Sequence, residues 1–461
     1  MKFVLPSLLG VLLVLTIGAI QSRSLAQPLV SDAEIQKILH RRIDDEKQSI
    51  GIVVGLVDEQ GSHTISYGRL NQTDSRPTNG DTLFEIGSVT KVFTTLLLAD
   101  RVQKGEMRLT DPVSRFLPPS VHVPSYQGKQ ITLQDLATHT SGLPRLPDNL
   151  HPKDVTNPYA DYTIAQLYAF LSNYHLTRAI GAKYEYSNLG MGLLGHLLSL
   201  QAGTDYETLV VRRICQPLQM QSTRIQLTPE LQTRLATGHT ADGQPTPSWD
   251  LPTLAGRSTA NDLLKLVAAN LGLTPSALLS AMQLTHQVRH HTENPNLKIG
   301  LGWHVFTQYG RTILWHDGET GGFSSFIGFD PKQRRGVVVL SNTANAVADI
   351  GLHVLDKRYP LVTRKPPKVH IAIALDAKIY DAYVGQYELA PGFILTITKE
   401  QDQLYLQATG QPKVQLFPES ETEFFMKAVD AQVTFVKNPA GQVAHLVLHQ
   451  NGQHLPAKRI R

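Results

Sequence analysis

The spacing of apolar residues divides the chain into a mixed first part and an all-β last part. Ile35, Ile38, Leu39 and Ile43 recur at three- and four-residue intervals and predict an amphipathic helix over Asp32–Lys47. Two strands follow, Ile50–Val57 and Thr64–Tyr67, joined around Gln60-Gly61, a pair that suits a hairpin turn. Val89, Val92, Phe93, Leu96 and Leu97 return to helical spacing in a helix ending near Lys104-Gly105. Thr132-Leu133-Gln134-Asp135 is a capping-box pattern that opens a short helix through Ala137, and the loop His139–Pro144 stops it. Further helical patterns cover Thr163–Leu171, Leu189–Leu200, Tyr206–Ile214, Asn261–Leu271 and Ser276–Leu284. Strand-like runs come next at Leu301–Phe306, Thr312–Trp315, Ser324–Phe329 and Gly336–Leu340, and a helix over Ala346–Leu355 closes the region. Strands at both ends with helices between predict an α+β fold. Its antiparallel sheet has a spatial order unlike its chain order and is flanked by helices with a helical lobe.

The pattern breaks at Tyr359-Pro360 and at Arg364-Lys365-Pro366-Pro367-Lys368. Prolines among charges keep a chain extended and solvated, which makes residues 361–375 a linker between a first domain over 27–360 and a second over 376–461. The second reads as short alternating strands: Phe393–Thr398, Leu404–Ala408, Lys413–Phe417, Glu423–Met426, Val433–Val436 and Val443–His449. Turn signals at Gln401-Asp402, Pro439-Ala440-Gly441 and Asn451-Gly452 separate several of them, as in a small sandwich or barrel. At the other end, Lys2 precedes an apolar run, Phe3–Ile20, and Ser24-Leu25-Ala26 supplies a small-x-small site, the three parts of a signal peptide over residues 1–26. Pro6, Gly10 and Gly18 interrupt the run, which suits a cleaved signal; left uncut, it would tether the protein to a membrane. The expected location is periplasmic or extracellular.

Composition acts mainly by exclusion. A formal charge of +4 over 461 residues, with no dense Lys/Arg cluster among aromatics, argues against nucleic acid as a partner. Cys215 is the sole cysteine, so neither an intrachain disulfide nor a cysteine-based metal site is available, and it reads as a small core residue. No Gly-x-Ser-x-Gly elbow and no His-Glu-x-x-His occurs.

Three short constellations carry chemistry. Ser88 is the only serine with a lysine three residues on, and that spacing puts Lys91 on the same helical face. A hydroxyl is a poor nucleophile until a neighbouring base takes its proton, and a desolvated lysine can do so. Tyr186-Ser187-Asn188 is the only Tyr-x-Asn, a spacing that selects Tyr186 over Tyr184. A phenol near a lysine has its anionic form favoured and can relay a proton. Asn188 can donate and accept with one side chain. His316-Asp317-Gly318, the only His-x-Gly, follows the strand Thr312–Trp315, and Gly318 permits close approach of backbone to a ligand. Taken singly, each has a plain structural alternative: a helix start with a surface lysine, a core tyrosine, a capping asparagine, a surface histidine.

In this order the three resemble the serine β-lactamase and penicillin-binding-protein superfamily, in its class C β-lactamase, D-alanyl-D-alanine carboxypeptidase and esterase branch. The resemblance runs from Asp32 to Tyr359 and takes in Ile86-Gly87-Ser88, Leu136–Pro144, Gly321–Ser325 and Gly328–Pro331. It implies a β-lactamase-like fold and acyl transfer in two steps without metal or cofactor. Ser88 attacks a carbonyl, Lys91 and Tyr186 share the proton work with the identity of the base left open, and Asn188, His316 and Gly318 bind substrate. Backbone N–H groups of Ser88 and Glu319 hold the oxyanion. The His139–Pro144 loop and the Ser258–Asp262 helix start are read as structural. One position departs from the resemblance: where such proteins usually carry Lys-[Thr/Ser]-Gly, this chain has His316-Asp317-Gly318, and its only Lys-x-Gly, Lys298-Ile299-Gly300, lacks the hydroxyl. A free histidine is only roughly a quarter charged at neutral pH, and Asp317 would raise that fraction or repel an anionic substrate. Expected substrates are therefore small molecules or peptides, D-amino-acid peptides or esters ahead of β-lactams, with peptidoglycan as one source. An esterase unrelated to the cell wall, or an idle penicillin- or peptidoglycan-binding protein, are the alternatives; the last has no use for an intact Ser88, Lys91 and Tyr186. The C-terminal stretch, opening at Tyr383–Tyr387, resembles the lipocalin-like domain appended to such hydrolases, where it shapes the active-site entrance or assembly, or serves as a spacer.

Overall fold

Eight antiparallel strands build the central sheet, and residue alternation along them decides which helices each face meets. They are β1 (Gly51–Asp58), β2 (Gly61–Gly68), β3 (His290–His291), β4 (Leu297–Ile299), β5 (His304–Gln308), β6 (Arg311–Glu319), β7 (Ser324–Asp330) and β8 (Arg335–Ser341). Their spatial order is β2-β1-β8-β7-β6-β5-β4-β3. The computed structural model describes residues 30–460 apart from 155, 250–255, 365, 367–369, 391, 412, 428–430, 451 and 452. The signal segment 1–26, linker residues Lys365, Pro367 and Lys368, and the Asn451-Gly452 turn lie outside the described residues. Among the described residues, no helix is long and apolar enough to cross a membrane.

The helices that cover the sheet and carry the site are α1 (Asp32–His40), α2 (Thr90–Gln103), α3 (Leu133–Ala137), α4 (Asn188–Ala202), α5 (Ala260–Asn270) and α6 (Ala348–Leu355). Successive residues of a strand point to opposite faces. Ile52 and Val54 of β1, with Phe326, Val337 and Val339, are therefore buried under α1 and α6 through Ile35, Leu39, Ile350 and Val354. Val53 and Val57, with Ile327, Phe329 and Val338, share the other core with Val92, Phe93, Leu263 and Val267 of α2 and α5. Burial of each such side chain contributes about 1.5–3 kcal/mol, and the sheet is thus covered on both sides.

The structure departs from the periodicity in three places that bear on the site. The first helix does not run unbroken to Lys47: α1 ends at His40 and a π-helical turn, Arg41–Asp45, follows. That wider turn swings Arg42 inward, where it is 2% exposed and pairs with Asp349 of α6 and, at 3.5 Å, with Glu46. Leu301–Trp303 is a turn rather than strand, because Gly302 takes φ +69° and lies against Lys91 and Thr95 of α2, where a Cβ would come within 2.4 Å of the Thr95 hydroxyl. Finally, β6 continues four residues past Trp315, so His316-Asp317-Gly318 lies within a strand paired to Ile327-Phe326-Ser325 and not beyond its end.

C-terminal to the linker, eight strands close into an up-and-down barrel in chain order: β9 (Gly385–Ala390), β10 (Phe393–Glu400), β11 (Gln403–Ala408), β12 (Lys413–Pro418), β13 (Glu423–Phe425), β14 (Ala431–Lys437), β15 (Val443–Gln450) and β16 (Gln453–Arg459). Closure comes from β16 pairing with β9, Arg459 opposite Tyr387. These are the two strands the alternation did not mark: β9 offers one fully buried apolar residue, Tyr387, and β16 carries Pro456. Tyr383, Tyr387, Phe424 and Phe435 fill the interior, with the Tyr383 and Phe435 rings stacked at 4.2 Å.

Removing one partner of a buried ion pair leaves the other charge uncompensated, at a cost of about 3–5 kcal/mol. Arg42→Ala is expected to lower the urea midpoint of the full chain by an amount equivalent to about 3 kcal/mol. A loss below about 1 kcal/mol would mean that water reaches Asp349 and Glu46 and the pair is not a structural tie.

Candidate active site

The segment before the first motif is held rigidly. Phe84-Glu85 pairs with Arg257-Ser258. The Glu85 carboxylate, 1% exposed, accepts the Trp249 backbone N–H at 2.8 Å and faces the Arg257 guanidinium at 3.3 Å. A 3-10 turn, Gly87–Val89, then leads into α2, so Ser88 stands just ahead of the α-helix and not within it. From Thr82 to Arg101, Ser88 is the one residue that is not fully buried.

Lys91 reaches back along this turn and donates from Nζ to Ser88 Oγ at 2.7 Å. Its side chain is buried, and burial together with the positive charge of Arg145 brings the amine down to about 7, Asp317 opposing. Lysine half-deprotonated near neutral pH can take a proton from the hydroxyl it touches. The Tyr186 ring lies 4.9 Å from Nζ, and its phenol hydrogen-bonds Ser88. Here the expectation of a favoured phenolate is not met. Burial pushes the phenol well above its ordinary value, Asp317 and Tyr184 add to that, and the opposing Ser88 hydrogen bond and Arg145 do not offset them. Tyr186 keeps its proton at neutral pH.

The second motif is pinned from below by the loop read as structural. Ser187 caps α4, accepting the Gly190 N–H at 2.8 Å while donating to the Pro144 carbonyl at 2.6 Å. Its own N–H donates to Nδ1 of His139 at 3.1 Å, and the His139 ring stacks on Tyr186 at 4.5 Å. His139 occupies left-handed backbone, φ +58°, a conformation uncommon for a side-chain-bearing residue. Asn188 is the first residue of α4; its side chain bonds Tyr159, and its Oδ1 is buried with no partner among the described residues. Beyond Asn188 lies a hollow of about 330 Å³ lined by Leu146, Tyr159, Leu167, Leu189 and Leu193.

The third motif meets the first backbone to backbone. A Cβ on Gly318 would lie 2.0 Å from the Ile86 carbonyl oxygen and 2.9 Å from Ser88 N, so only hydrogen fits. A Cβ on Gly87, whose φ is +47°, would lie 2.7 Å from Glu319 N. The backbone of the Ser88 turn and that of Gly318-Glu319 are therefore in direct contact. His316 is 2% exposed, stacks on His304 at 5.1 Å and lies 6.2 Å from Tyr186. Its Nδ1–H donates to the Asp317 carbonyl at 2.6 Å. Burial, then His304 and Lys91, hold the ring far below its usual value, so it is neutral. Of the two effects expected of Asp317, a raised charge on this ring is not met, because the group it offers His316 is its backbone carbonyl, and its own carboxyl is pushed up by burial.

Three further residues join the site: His304, whose Nε2 meets the Tyr184 hydroxyl at 3.2 Å; Tyr159, beside Asn188; and Arg145, whose guanidinium lies 5.3 Å from the Tyr186 ring. Only Arg145 had a signal in the sequence, a cation directly after the Gly142-Leu143-Pro144 loop. A separate cleft of about 1920 Å³ runs between Tyr67, Arg69 and Gln244 and the barrel residues Phe425 and Gln450, reaching the chemistry only through Thr320 and Gly321.

A buried lysine amine against a half-exposed serine, at the end of a helix-covered antiparallel sheet, has the form of a lysine-assisted serine hydrolase site. Residues 35–355 match the Beta-lactamase family, and the chain belongs to that family. Residues 369–459 match a domain of unknown function, DUF3471, which is here the barrel. Penicillin-binding protein 4* of Bacillus subtilis (strain 168) is 27% identical over a match covering 92% of this chain and 98% of that protein. The D-alanyl-D-alanine-carboxypeptidase/endopeptidase AmpH of Escherichia coli (strain K12) is 27% identical, with 71% and 89% covered. Among solved structures, D-alanine carboxypeptidase AmpC from Burkholderia cenocepacia superposes with a TM-score of 0.60 at 27% identity, over 71% of this chain and 100% of that one. The octameric penicillin-binding protein homologue from Pyrococcus abyssi shares the fold over 92% of this chain and 99% of its own, with a TM-score of 0.63 and 21% identity. Homology thus places the chain among serine hydrolases of the class C β-lactamase and D-alanyl-D-alanine carboxypeptidase branch, with an appended β-barrel.

Gly318→Ala is expected to force β6 away from the Ser88 turn. The rate at which a fluorophosphonate labels Ser88 should fall by at least 10-fold, roughly 1.4 kcal/mol of barrier. Labelling at the unaltered rate would show that the two backbones separate without consequence for the serine.

Proposed function

We propose that the chain is an exported serine hydrolase that forms an acyl-enzyme on Ser88 and acts on D-amino-acid peptides, β-lactams or related amides and esters. The observation that carries this is the 2.7 Å contact between Lys91 Nζ and Ser88 Oγ, with the amine brought to about 7. Free-base Lys91 takes the Ser88 proton as Oγ attacks the substrate carbonyl. The resulting oxyanion is met by the backbone N–H groups of Ser88 and Glu319. Tyr186, still protonated, passes its proton to the leaving group and is reprotonated from the Lys91 ammonium beside its ring. Water then attacks the Ser88 ester, its proton passing to the same pair; as the acyl C–Oγ bond breaks the pair returns that proton to Ser88 Oγ and the acid is freed. The high phenol and the low amine favour Lys91 over Tyr186 as the base. Asn188, through its unpartnered Oδ1, would accept an amide N–H of the bound acyl group. Export is supported by the signal-like residues 1–26. The lipocalin-like reading of the barrel rests on its closed eight-strand meander, and the cleft it shares with Thr320 and Gly321 supports a role at the site's entrance.

A second reading, an esterase with no role in cell-wall chemistry, is favoured by neutral, buried His316 at the position where the family resemblance expects a cation.

Incubating the mature protein with a fluorescent penicillin, beside a Ser88→Ala control, and weighing the products should give an adduct on the wild type alone. If no adduct forms but a simple ester is cleaved with dependence on Ser88, the mechanism stands and the substrate class moves to esters. Silence of the wild type in both assays removes the hydrolase reading. The pH profile of acylation is the second test. The base works unprotonated and the fraction of free amine grows as pH rises through about 7. Acylation should therefore climb on a limb centred near that pH; a flat profile between pH 5 and 9 would exclude Lys91 as the base.

A further inference from the structure

Resting on the acyl-enzyme reading above, we propose that Arg145 selects the substrate: its guanidinium holds a carboxylate that the substrate carries next to the scissile bond. The backbone of Arg145 is fixed to the start of α4, because its carbonyl accepts the N–H groups of Asn188 at 3.0 Å and Leu189 at 3.2 Å. One residue earlier, the Pro144 carbonyl accepts the Ser187 hydroxyl at 2.6 Å. The residue thus travels with the Tyr186-Ser187-Asn188 segment. Its side chain is exposed, and its guanidinium lies over the Tyr186 ring at 5.3 Å, on the ring that also meets Lys91.

A guanidinium laid on an aromatic face keeps its in-plane N–H fork open, and that fork matches the two oxygens of a carboxylate. Among the described residues no carboxylate pairs with Arg145, whereas other arginines near the site are engaged: Arg178 with Glu185 at 2.5 Å and Arg257 with Glu85. The other two candidates for an anion grip are closed. Lys91 is 1% exposed and spends its reach on Ser88, and His316 is buried and neutral. The acidic groups facing this region are Asp317, buried, and Glu319, which feels the Arg145 charge as an attraction without pairing with it. Among the described residues Arg145 is thus an open cation beside the nucleophile on the Tyr186 side of the site; on the β6 side Arg364 also acts on Glu319, and its guanidinium donates to the Ala346 carbonyl at 3.3 Å.

The test compares an N-acyl-D-alanyl-D-lactate depsipeptide, whose carboxylate adjoins the scissile ester, with the same compound as its methyl ester. In Arg145→Gln the ratio of kcat/KM between the two should fall about 30-fold, through KM, as expected for loss of a charge-assisted bidentate contact. Arg145→Lys should recover part of the ratio, since it restores charge without the fork. In the wild type, the preference for the carboxylate should weaken with added salt. A ratio within about 2-fold of wild type in Arg145→Gln, with Ser88 still acylated, would overturn the assignment of Arg145 and leave the acyl-enzyme reading intact. Absence of wild-type turnover of both compounds, with Ser88 still acylated by the fluorescent penicillin or active on a simple ester, would overturn the Arg145 assignment alone, and silence in every assay would remove both.

Discussion

Everything in this site depends on keeping an amine dry. Lys91 is 1% exposed, its amine lies 4.9 Å from the Tyr186 ring centre, and no carboxylate among the described residues pairs with it. Depressing a lysine from its ordinary value near 10.4 to about 7 reflects several kcal/mol of unfavourable charge burial. Between those pH values the unfolded chain holds a proton that the folded chain has dropped, so stability rises with pH across that window. The fold offsets this cost by packing, with two hydrophobic layers clamping the sheet from either side.

The geometry around that amine comes from backbone contacts more than from side chains. Gly87 and Gly318 bring two chain segments more than two hundred residues apart to van der Waals contact, and the spacing leaves no room for a methyl group on either. The Tyr186 segment is held in a different way, by a buried histidine in left-handed backbone and by carbonyls of a proline loop. Rigid backbone on one side and a stacked aromatic cluster on the other define a narrow slot whose electrostatics are set by few groups: Lys91, Asp317 and Arg145.

The α+β plan, the central strands and the barrel were legible because apolar alternation and helical spacing report burial, and burial is what organises this chain. Ser88, Lys91 and Tyr186 were legible because their spacing is fixed by local geometry, a turn of helix in one case and a helix cap in the other. What the sequence concealed was set by distant contacts. The ionisation of Tyr186 and His316 depends on how completely each is enclosed, and neither residue's neighbours in sequence reveal that. The extension of β6 through His316 follows from pairing with β7, since Asp317 and Gly318 are poor strand formers on their own. His139 looked like part of a structural loop; it is, and the structure that loop supports is the position of Tyr186.

The pairing of β1 with β8 has a bearing on how the chain reaches this state. Ile52 lies opposite Ser341, so the middle of the sheet joins two segments separated by nearly the whole of the hydrolase region. Closing so long a loop is entropically slow, and contacts of this range delay folding. During synthesis the amino-terminal hairpin emerges early with one edge unsatisfied and waits for its partner. The Ser88 turn, wedged against Gly318 of β6, cannot take its final form until that partner region has been made. The surroundings of Ser88 are therefore among the last things this protein assembles, and an incomplete chain carries Ser88 and Lys91 without the backbone that closes around them.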